Sequence, residues 1–406
     1  MSDRIELTIE KLASGGDGIA FSGGRVVFVP FSIPGEKIAC EIIRDQGDYL
    51  RASILEIREP SPARVTPPCP VFGRCGGCSL QHMEYSRQLA WKADAVREAF
   101  SRIAGIRLAY AADFSPEAGD SPAPGSIPFS VHQGKAYGYR NRVQLHFSDD
   151  HGIGYMEASS AASLRAHGCP VATKVVDDWL KKRNRASRAD KELAARIGER
   201  ERFVVFGQDN RIYIEGMDAM AEATVAGRRY RFPLKHFFQS NLEMAGKLVD
   251  DAVTSLAGDV AVDLYSGAGL FAARLTESFG QVLCVESDSV SLEAARTNLP
   301  KGRGRFYPVD VDNWIAGQKT KKPAGEMPRY DLVLADPPRQ GLSPATREWL
   351  SKGSADRFIY VSCDPVTMAR DIGVLVRSGW SLESLAMYDF YPQTGHVEAL
   401  ARLSPA

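Results

Sequence analysis

The sequence predicts a multidomain α/β protein built around a doubly wound, mostly parallel sheet in its C-terminal part. Three observations carry this reading. From about residue 240, short apolar runs alternate with helical segments, in the order VAVDLY, QVLCVE, RFYPVD, YDLVLAD and FIYVSC. Strands separated by helices pair in parallel, because each helix carries the chain back across the sheet. Residues 5 to 58 read instead as strands alone. The region between mixes short strands with helices and holds four of the seven cysteines.

Taken in order, IELTIEKL, GIAFSGGRVVFVP, KIACEII and LRASILEI alternate apolar and polar residues between Gly- and Pro-rich turns, the pattern of a small barrel. REPSPARVTPPCP is a proline-rich linker. SRQLAWKADAVREAFSRIAG places Leu89, Val96, Phe100 and Ile103 at helical spacing. Residues 113 to 130 are rich in Pro, Gly and Ser and read as a loop, and a charged helix is expected around 174 to 200. The C-terminal runs LAMYDFY and HVEALARL complete the sheet.

Composition narrows the class without naming it. The chain has 406 residues, 44% hydrophobic and 25% charged, with a formal net charge of zero. No apolar run reaches the roughly 20 residues of a membrane span. The opening MSDRIELTIE lacks an export signal, so a cytoplasmic protein with no membrane partner is expected. Neutrality removes any global basic field, so a nucleic-acid partner must be recognised by local patches. Clustered cysteines in such a chain point to metal binding or chemistry rather than a disulfide framework.

In doubly wound sheets ligands bind beyond the carboxyl ends of the strands, so the residues closing each strand matter most. Four stretches stand there. VDLYSGAGLFAA puts Asp263 at a strand end, with Gly267 and Gly269 leading into a helix, where a backbone without side chains admits a ligand. LADPPRQGL closes its strand with Asp336 and stiffens the following loop with two prolines. FIYVSCDPVTMARD delivers Cys363 to the same edge and starts a helix at once. A thiol at a helix N-terminus is a candidate for a lowered pKa and a nucleophilic role. Cys284, inside its strand, reads as structural. TGHVEAL carries Glu398 in an apolar run, where burial would raise its pKa and suit it as a base.

Asp336-Pro-Pro-Arg339, Ser362-Cys363-Asp364-Pro365 and Thr394-Gly395-His396-Val397-Glu398 occur in this order. Together they resemble the RNA uracil-5-methyltransferases, the enzymes that make 5-methyluridine. HFFQSN, with Gln239, extends the resemblance, and so does Cys69-x5-Cys75-x2-Cys78 with the distant Cys169. On thiolate chemistry alone that set suits zinc or iron–sulfur. The resemblance implies a 4Fe–4S cluster held by Cys69, Cys75, Cys78 and Cys169. It also implies that the N-terminal barrel is a TRAM domain, an OB-like RNA-binding module, and that the sheet is a Rossmann-like class I methyltransferase domain. The similar pattern is the bacterial 23S ribosomal RNA branch that carries both TRAM and cluster.

Domains follow: residues 1–60 as the TRAM barrel, 61–85 with 124–232 as a central α+β iron–sulfur unit, and 86–110 with 233–406 as the methyltransferase. The resemblance assigns S-adenosylmethionine to Gln239, Asp263, Tyr265, Gly267, Gly269, Glu286, Asp310 and Asp336. It assigns the RNA to Gln239, Asp336 and Arg339. Cys363 becomes the nucleophile at carbon 6 of uracil and Glu398 the base that removes the carbon-5 proton. YGYRNR interleaves Tyr137, Tyr139, Arg140 and Arg142, and basic residues among aromatics suit unstacked RNA bases. A monomer acting on 23S ribosomal RNA is expected, with transfer RNA as the alternative substrate. One departure stands out: Asp364 follows the cysteine where the family often has Asn. A cytosine carbon-5 enzyme would need a cysteine in the Pro-Pro loop, and ADPPRQG has none. An RNA-binding protein without activity would be expected to have lost Cys363 or Glu398.

Overall fold

The N-terminal alternation folds as its period of two requires. The computed structural model describes residues 4–111, 114, 124–147, 152–158, 162–165, 167–183, 188–197, 202–319 and 328–406. Its first sheet holds β1 (Arg4–Thr8), β2 (Lys11–Leu12), β3 (Gly18–Ser22), β4 (Arg25–Val29), β5 (Lys37–Asp45) and β6 (Tyr49–Glu59), in the order β1-β5-β6-β4-β3-β2. Every second residue turns inward. Ala20, Val27, Val29, Ile38, Leu50 and Ala52 close a small core that Cys40 merely helps to fill.

Helix α1 (Tyr85–Ala99) buries Leu89 and Val96 as their spacing requires. It then continues as a wider π turn, Phe100–Ala104, which ends on Gly105 at φ 69°. Phe100 stays buried, but Ile103 is left exposed. The wider turn breaks the 3.6-residue period on which Ile103 was expected inside.

The middle of the chain contributes to two sheets rather than one. Strands β7 (Leu108–Tyr110) and β8 (Ile127–His132) join the C-terminal sheet. The second piece of the central unit, expected from residue 124, therefore gives its first strand to the neighbouring domain. Parallel pairing with Leu385–Tyr388 draws β8 there. The central sheet itself is β9 (Arg142–Phe147), β10 (Ile153–Met156), β11 (Ser163–Arg165), β12 (Arg202–Gln208) and β13 (Arg211–Ile214), in the order β11-β10-β9-β12-β13. The charged segment forms two helices, α2 (Lys174–Arg183) and α3 (Arg188–Ile197). Most of the loop expected at 113–130 lies outside the described residues. The hairpin β14 (Met220–Val225) and β15 (Arg228–Pro233) packs its apolar face into the core of the C-terminal sheet.

Helix α4 (Leu242–Val253) leads into the expected alternation: β16 (Gly258–Leu264), α5 (Leu270–Leu275), β17 (Phe279–Val285), α6 (Ser289–Asn298), β18 (Gly304–Tyr307), α7 (Val311–Lys319), β19 (Leu332–Ala335), α8 (Pro344–Ser351), β20 (Phe358–Ser362), α9 (Pro365–Arg377), β21 (Trp380–Tyr388) and β22 (Glu398–Pro405). The sheet order is β18-β17-β16-β19-β20-β22-β21-β8-β7, with β22 antiparallel between β20 and β21. The winding reverses between β16 and β19, and a crevice opens at such a switch point. Its strands are buried on both faces, as Val333, Leu334, Tyr360 and Val361 show. Among the described residues, no helix is long and apolar enough to cross a membrane.

Candidate active site

The parallel strands deliver their last residues to one cavity of about 1150 Å³. Tyr265 follows β16 at φ 63°, a left-handed backbone that costs a non-glycine residue roughly 1–3 kcal/mol. The turn brings Tyr265 and Gly267 to the cavity wall. Gly267 has open space where a side chain would stand. Its N–H donates to Glu286 Oε2 at 3.0 Å. Glu286, just past β17, and Asp310, past β18, complete this side.

The far side is built by three other strand ends. Asp336, Pro337, Pro338 and Arg339 follow β19, Cys363 follows β20, and Glu398 opens β22. The Pro-Pro loop is pinned from below. Asp371 on α9 accepts from Leu342 N at 2.8 Å, Tyr360 Oη at 2.8 Å and Arg347 Nη1 at 2.7 Å. Gly341 is needed there, because any Cβ would run into the Asp371 carboxylate. Gln239 and Arg140 also line the cavity.

Three expected contacts lie elsewhere. Asp263 is fully buried beneath the turn, where Oδ2 accepts from Ala272 N at 2.9 Å and Oδ1 has no partner. Burial pushes its carboxyl well above the usual range. Its place is to hold the turn into α5. Gly269 (φ 79°) is a packing glycine, since a Cβ would come within 2.9 Å of the Ala295 Cβ. Arg142 donates to Leu234 O at 3.3 Å and His236 O at 3.1 Å, bracing the segment before Gln239. Short spacing along the chain puts a residue near a site without turning its side chain, or for Gly269 its backbone, into it.

The helix end at Cys363 does not make the thiol acidic. Burial, then Glu398 and Asp336, push it up to about 11, and Arg339 alone draws it down. Burial likewise holds Asp336 up at about 7. Glu398 is pushed well above the carboxylate range by burial and by the Asp336 charge. The departure at Asp364 has a plain explanation. Its Oδ1 accepts from Val366 N at 2.9 Å and Thr367 N at 3.0 Å, so it caps α9. Asn can make the same cap. Asp364→Asn should therefore leave activity within about twofold and stability unchanged, whereas Asp364→Ala should lose about 1 kcal/mol. Thermal unfolding beside an activity assay checks both.

A second cavity of about 150 Å³ is lined by Cys69, Cys75, Cys78 and Cys169 with Val71, Phe72 and Tyr155. Among the described residues, no group of three or more His, Cys, Asp or Glu is arranged to hold a metal ion. The four thiols still share this one cavity. Burial pushes Cys78 up to about 12 and raises Cys69 and Cys75 as well. Gly77, Cys78 and Arg140 line both cavities, so the thiol-lined cavity adjoins the larger one.

Sequence reasoning reached His236 and Phe237 only within HFFQSN and gave neither a role of its own. His236 Nδ1 lies 2.6 Å from Asp288 Oδ2. Phe237 stands 68% exposed on the cavity lining, while Phe238 is buried and stacks on Phe232. Two consecutive aromatics in an extended segment point opposite ways, which was the available signal.

Comparison with known proteins bears on this geometry. Residues 326–404 match the family model of tRNA (Uracil-5-)-methyltransferase, and residues 3–55 match the TRAM domain. An uncharacterized RNA methyltransferase of Treponema denticola is 30% identical over 96% of each chain. The 23S rRNA (uracil(1939)-C(5))-methyltransferase RlmD of Shewanella amazonensis is 28% identical over 99% of this chain and 96% of its own. The tRNA (uracil-54, C5)-methyltransferase of Pyrococcus abyssi, solved with S-adenosyl-L-homocysteine, superposes with a TM-score of 0.70 at 23% identity. The match covers 98% of this chain and all of that one, and shows a shared fold.

Proposed function

The chain belongs to the S-adenosylmethionine-dependent RNA (uracil-5-)-methyltransferases, and we propose that it makes 5-methyluridine in 23S ribosomal RNA by covalent catalysis. The observation that carries the mechanism is the convergence of Cys363, Glu398 and Asp336 on the cavity that Gly267, Glu286 and Asp310 also line. S-adenosylmethionine, when bound, supplies a methyl group made electrophilic by a sulfonium. Carbon 5 of uracil is too weak a nucleophile to take it unaided. Bonding Cys363 Sγ to carbon 6 moves the ring's double-bond electrons toward the carbon-4 oxygen and makes carbon 5 enolate-like. Carbon 5 then takes the methyl group as the methyl–sulfonium bond breaks. Glu398 removes the carbon-5 proton, the 5,6 double bond re-forms, and the thiolate leaves. One hard step becomes two easier ones.

The other residues hold the reactants. Glu286 is placed for ribose hydroxyls, Gly267 for close backbone approach and Asp310 for the adenine side, with Tyr265 against them. Gln239 and Asp336 suit the polar edge of uracil. Arg339 is the cation that favours the Cys363 thiolate. The base must leave its stack to enter such a cavity. Arg140 and the exposed Phe237 are the groups best placed to meet the RNA around it.

The thiol-lined cavity fits a 4Fe–4S cluster. Four half-buried thiols with no carboxylate or imidazole among the lining residues are the donor set of iron–sulfur sites. Cys69, Cys75, Cys78 and Cys169 would hold the cluster, whose positive irons would stabilise the thiolates that burial disfavours at Cys69, Cys75 and Cys78. Protein purified without oxygen should carry about four irons and four inorganic sulfides, and Cys75→Ala should lose both. Iron and sulfide analysis decides it.

The substrate reading rests on the relative named for 23S rRNA and takes a cytoplasmic monomer as the working unit. Unmodified 23S ribosomal RNA and bulk transfer RNA should be incubated with labelled S-adenosylmethionine and digested to nucleosides. 5-Methyluridine in the ribosomal RNA is the expected result. 5-Methyluridine in transfer RNA alone would keep the chemistry and overturn the substrate.

A further inference from the structure

The loop that brings Glu398 to the cavity, residues 389–397, is held chiefly from outside its own sheet, and the holds meet at Gln393. This residue is 2% exposed and sits at φ 69°, a backbone that side chains other than glycine rarely adopt. Its main-chain oxygen accepts from Ser79 N and Leu80 N, both at 3.0 Å. Its main-chain N–H donates to Gln88 Oε1 at 3.1 Å, and its side-chain oxygen accepts from Gln88 Nε2 at 3.0 Å. Its side-chain nitrogen donates to Ala136 O at 3.3 Å. One residue thus joins the segment after Cys78, helix α1 and the chain entering the central sheet.

Its neighbours are held in the same way. Lys92 Nζ donates to Asp389 Oδ1 at 2.7 Å and Tyr391 O at 3.2 Å, with both side chains fully buried. Tyr139 Oη donates to Pro392 O at 2.8 Å. Gly395 packs under the barrel's β2–β3 turn, where a Cβ would stand 2.7 Å from Ser14 O. Just beyond Gln393, Thr394, Gly395, His396 and Glu398 line the cavity, while Gln393 itself does not.

We propose that Gln393 is a positioning residue for Glu398. Its left-handed backbone, fixed by Gln88 and the Ser79–Leu80 amides, sets the turn that aims the base. Through it the cysteine-bearing segment, α1 and the chain entering the central sheet determine where the carboxylate stands. The proposal rests on the reading of Glu398 as the base. A misplacement of about 1 Å at a reacting group lowers rates by about a hundredfold, so a loss of about ten- to a hundredfold in kcat is expected for Gln393→Ala.

The test uses the full-length protein with its native metal content, and whichever of the two RNAs the wild type methylates. Gln393→Ala, Gln88→Ala and the double variant are compared with Glu398→Gln. For Gln393→Ala, kcat should fall while Kd for S-adenosylmethionine and for RNA stays within about twofold. A denaturation-resistant protein–RNA adduct should accumulate, because methyl transfer outruns proton removal. Gln88→Ala should behave alike, and the double variant should lose less than the product of the two single losses, since both remove one shared contact. Unchanged kcat, or a fall matched by lost binding, overturns the proposal. If Glu398→Gln traps the adduct and neither glutamine variant does, the proposal alone falls. If Glu398→Gln neither slows transfer nor traps an adduct, the reading of Glu398 falls first. Should Gln393→Ala fail to fold, Gln88→Ala decides, because it removes the shared side-chain bond from the other side and also takes the acceptor of the Gln393 main-chain N–H.

Discussion

Cys363→Ala should abolish methyl transfer, by about 10⁴-fold or more, and leave no covalent complex with RNA. Without a bond at carbon 6 the ring has no route to an enolate, so losing the nucleophile removes the reaction path rather than a contribution to it. Glu398→Gln should behave differently. A misplaced or missing base typically costs about 10²–10⁴-fold, but the steps before proton removal remain open. Cys363 can still add and carbon 5 can still take the methyl group, so a methylated adduct should persist through denaturing electrophoresis. The pair of variants therefore separates nucleophile from base by more than rate. A Cys363→Ala protein that methylates at near the wild-type rate would end the covalent reading. A Glu398→Gln protein that turns over freely would move the base elsewhere, with Asp336 the next carboxylate on the cavity.

How far the sequence discloses this site depends on the kind of information each residue carries. Strand ends were legible because burial on both faces leaves near-continuous apolar runs, and each run stops where the chain meets the crevice. Asp336 and Cys363 were found in that way and Glu398 as a carboxylate inside an apolar run, and the structure brings all three to one cavity. Side-chain direction was not legible. Asp263 and Gly269 lie in the expected turn, yet one carboxyl faces inward to Ala272 N and the glycine packs against Ala295. The ionisation of Cys363 was misjudged for a related reason. The helix dipole is a local property and visible in the sequence, whereas the burial of the thiol, and then the Glu398 and Asp336 charges, come from elements packed around it. Gln393 was invisible because its partners, Ser79, Gln88 and Ala136, are more than two hundred residues away along the chain.

The pH dependence should expose those same charges, with rate and stability moving in opposite directions. The resting cavity holds Asp336 up at about 7, Glu398 higher than its ordinary range and Cys363 at about 11. Glu398 must be ionised to take a proton and Cys363 must be ionised to attack. The competent fraction therefore grows with pH, and kcat/KM should keep climbing toward the Cys363 value of about 11. Arg339→Ala should push the profile further alkaline, because it removes the one cation that draws the thiol down. Stability follows the opposite sign. A carboxyl whose folded pKa lies above its unfolded value binds more protons when folded, so its contribution is complete below the unfolded value. It is then lost as pH rises through the folded value. For Asp336 that window runs from its ordinary 3.8 up through about 7. Without ligands, Tm should fall across this range, and Asp336→Asn should flatten the fall while sacrificing activity. Such a trade is expected where a site keeps like charges close for chemistry rather than for folding. An unchanged slope in Asp336→Asn would mean that the carboxyl is already ionised at neutral pH. The alkaline rise in rate would then belong to Cys363 and Glu398 alone.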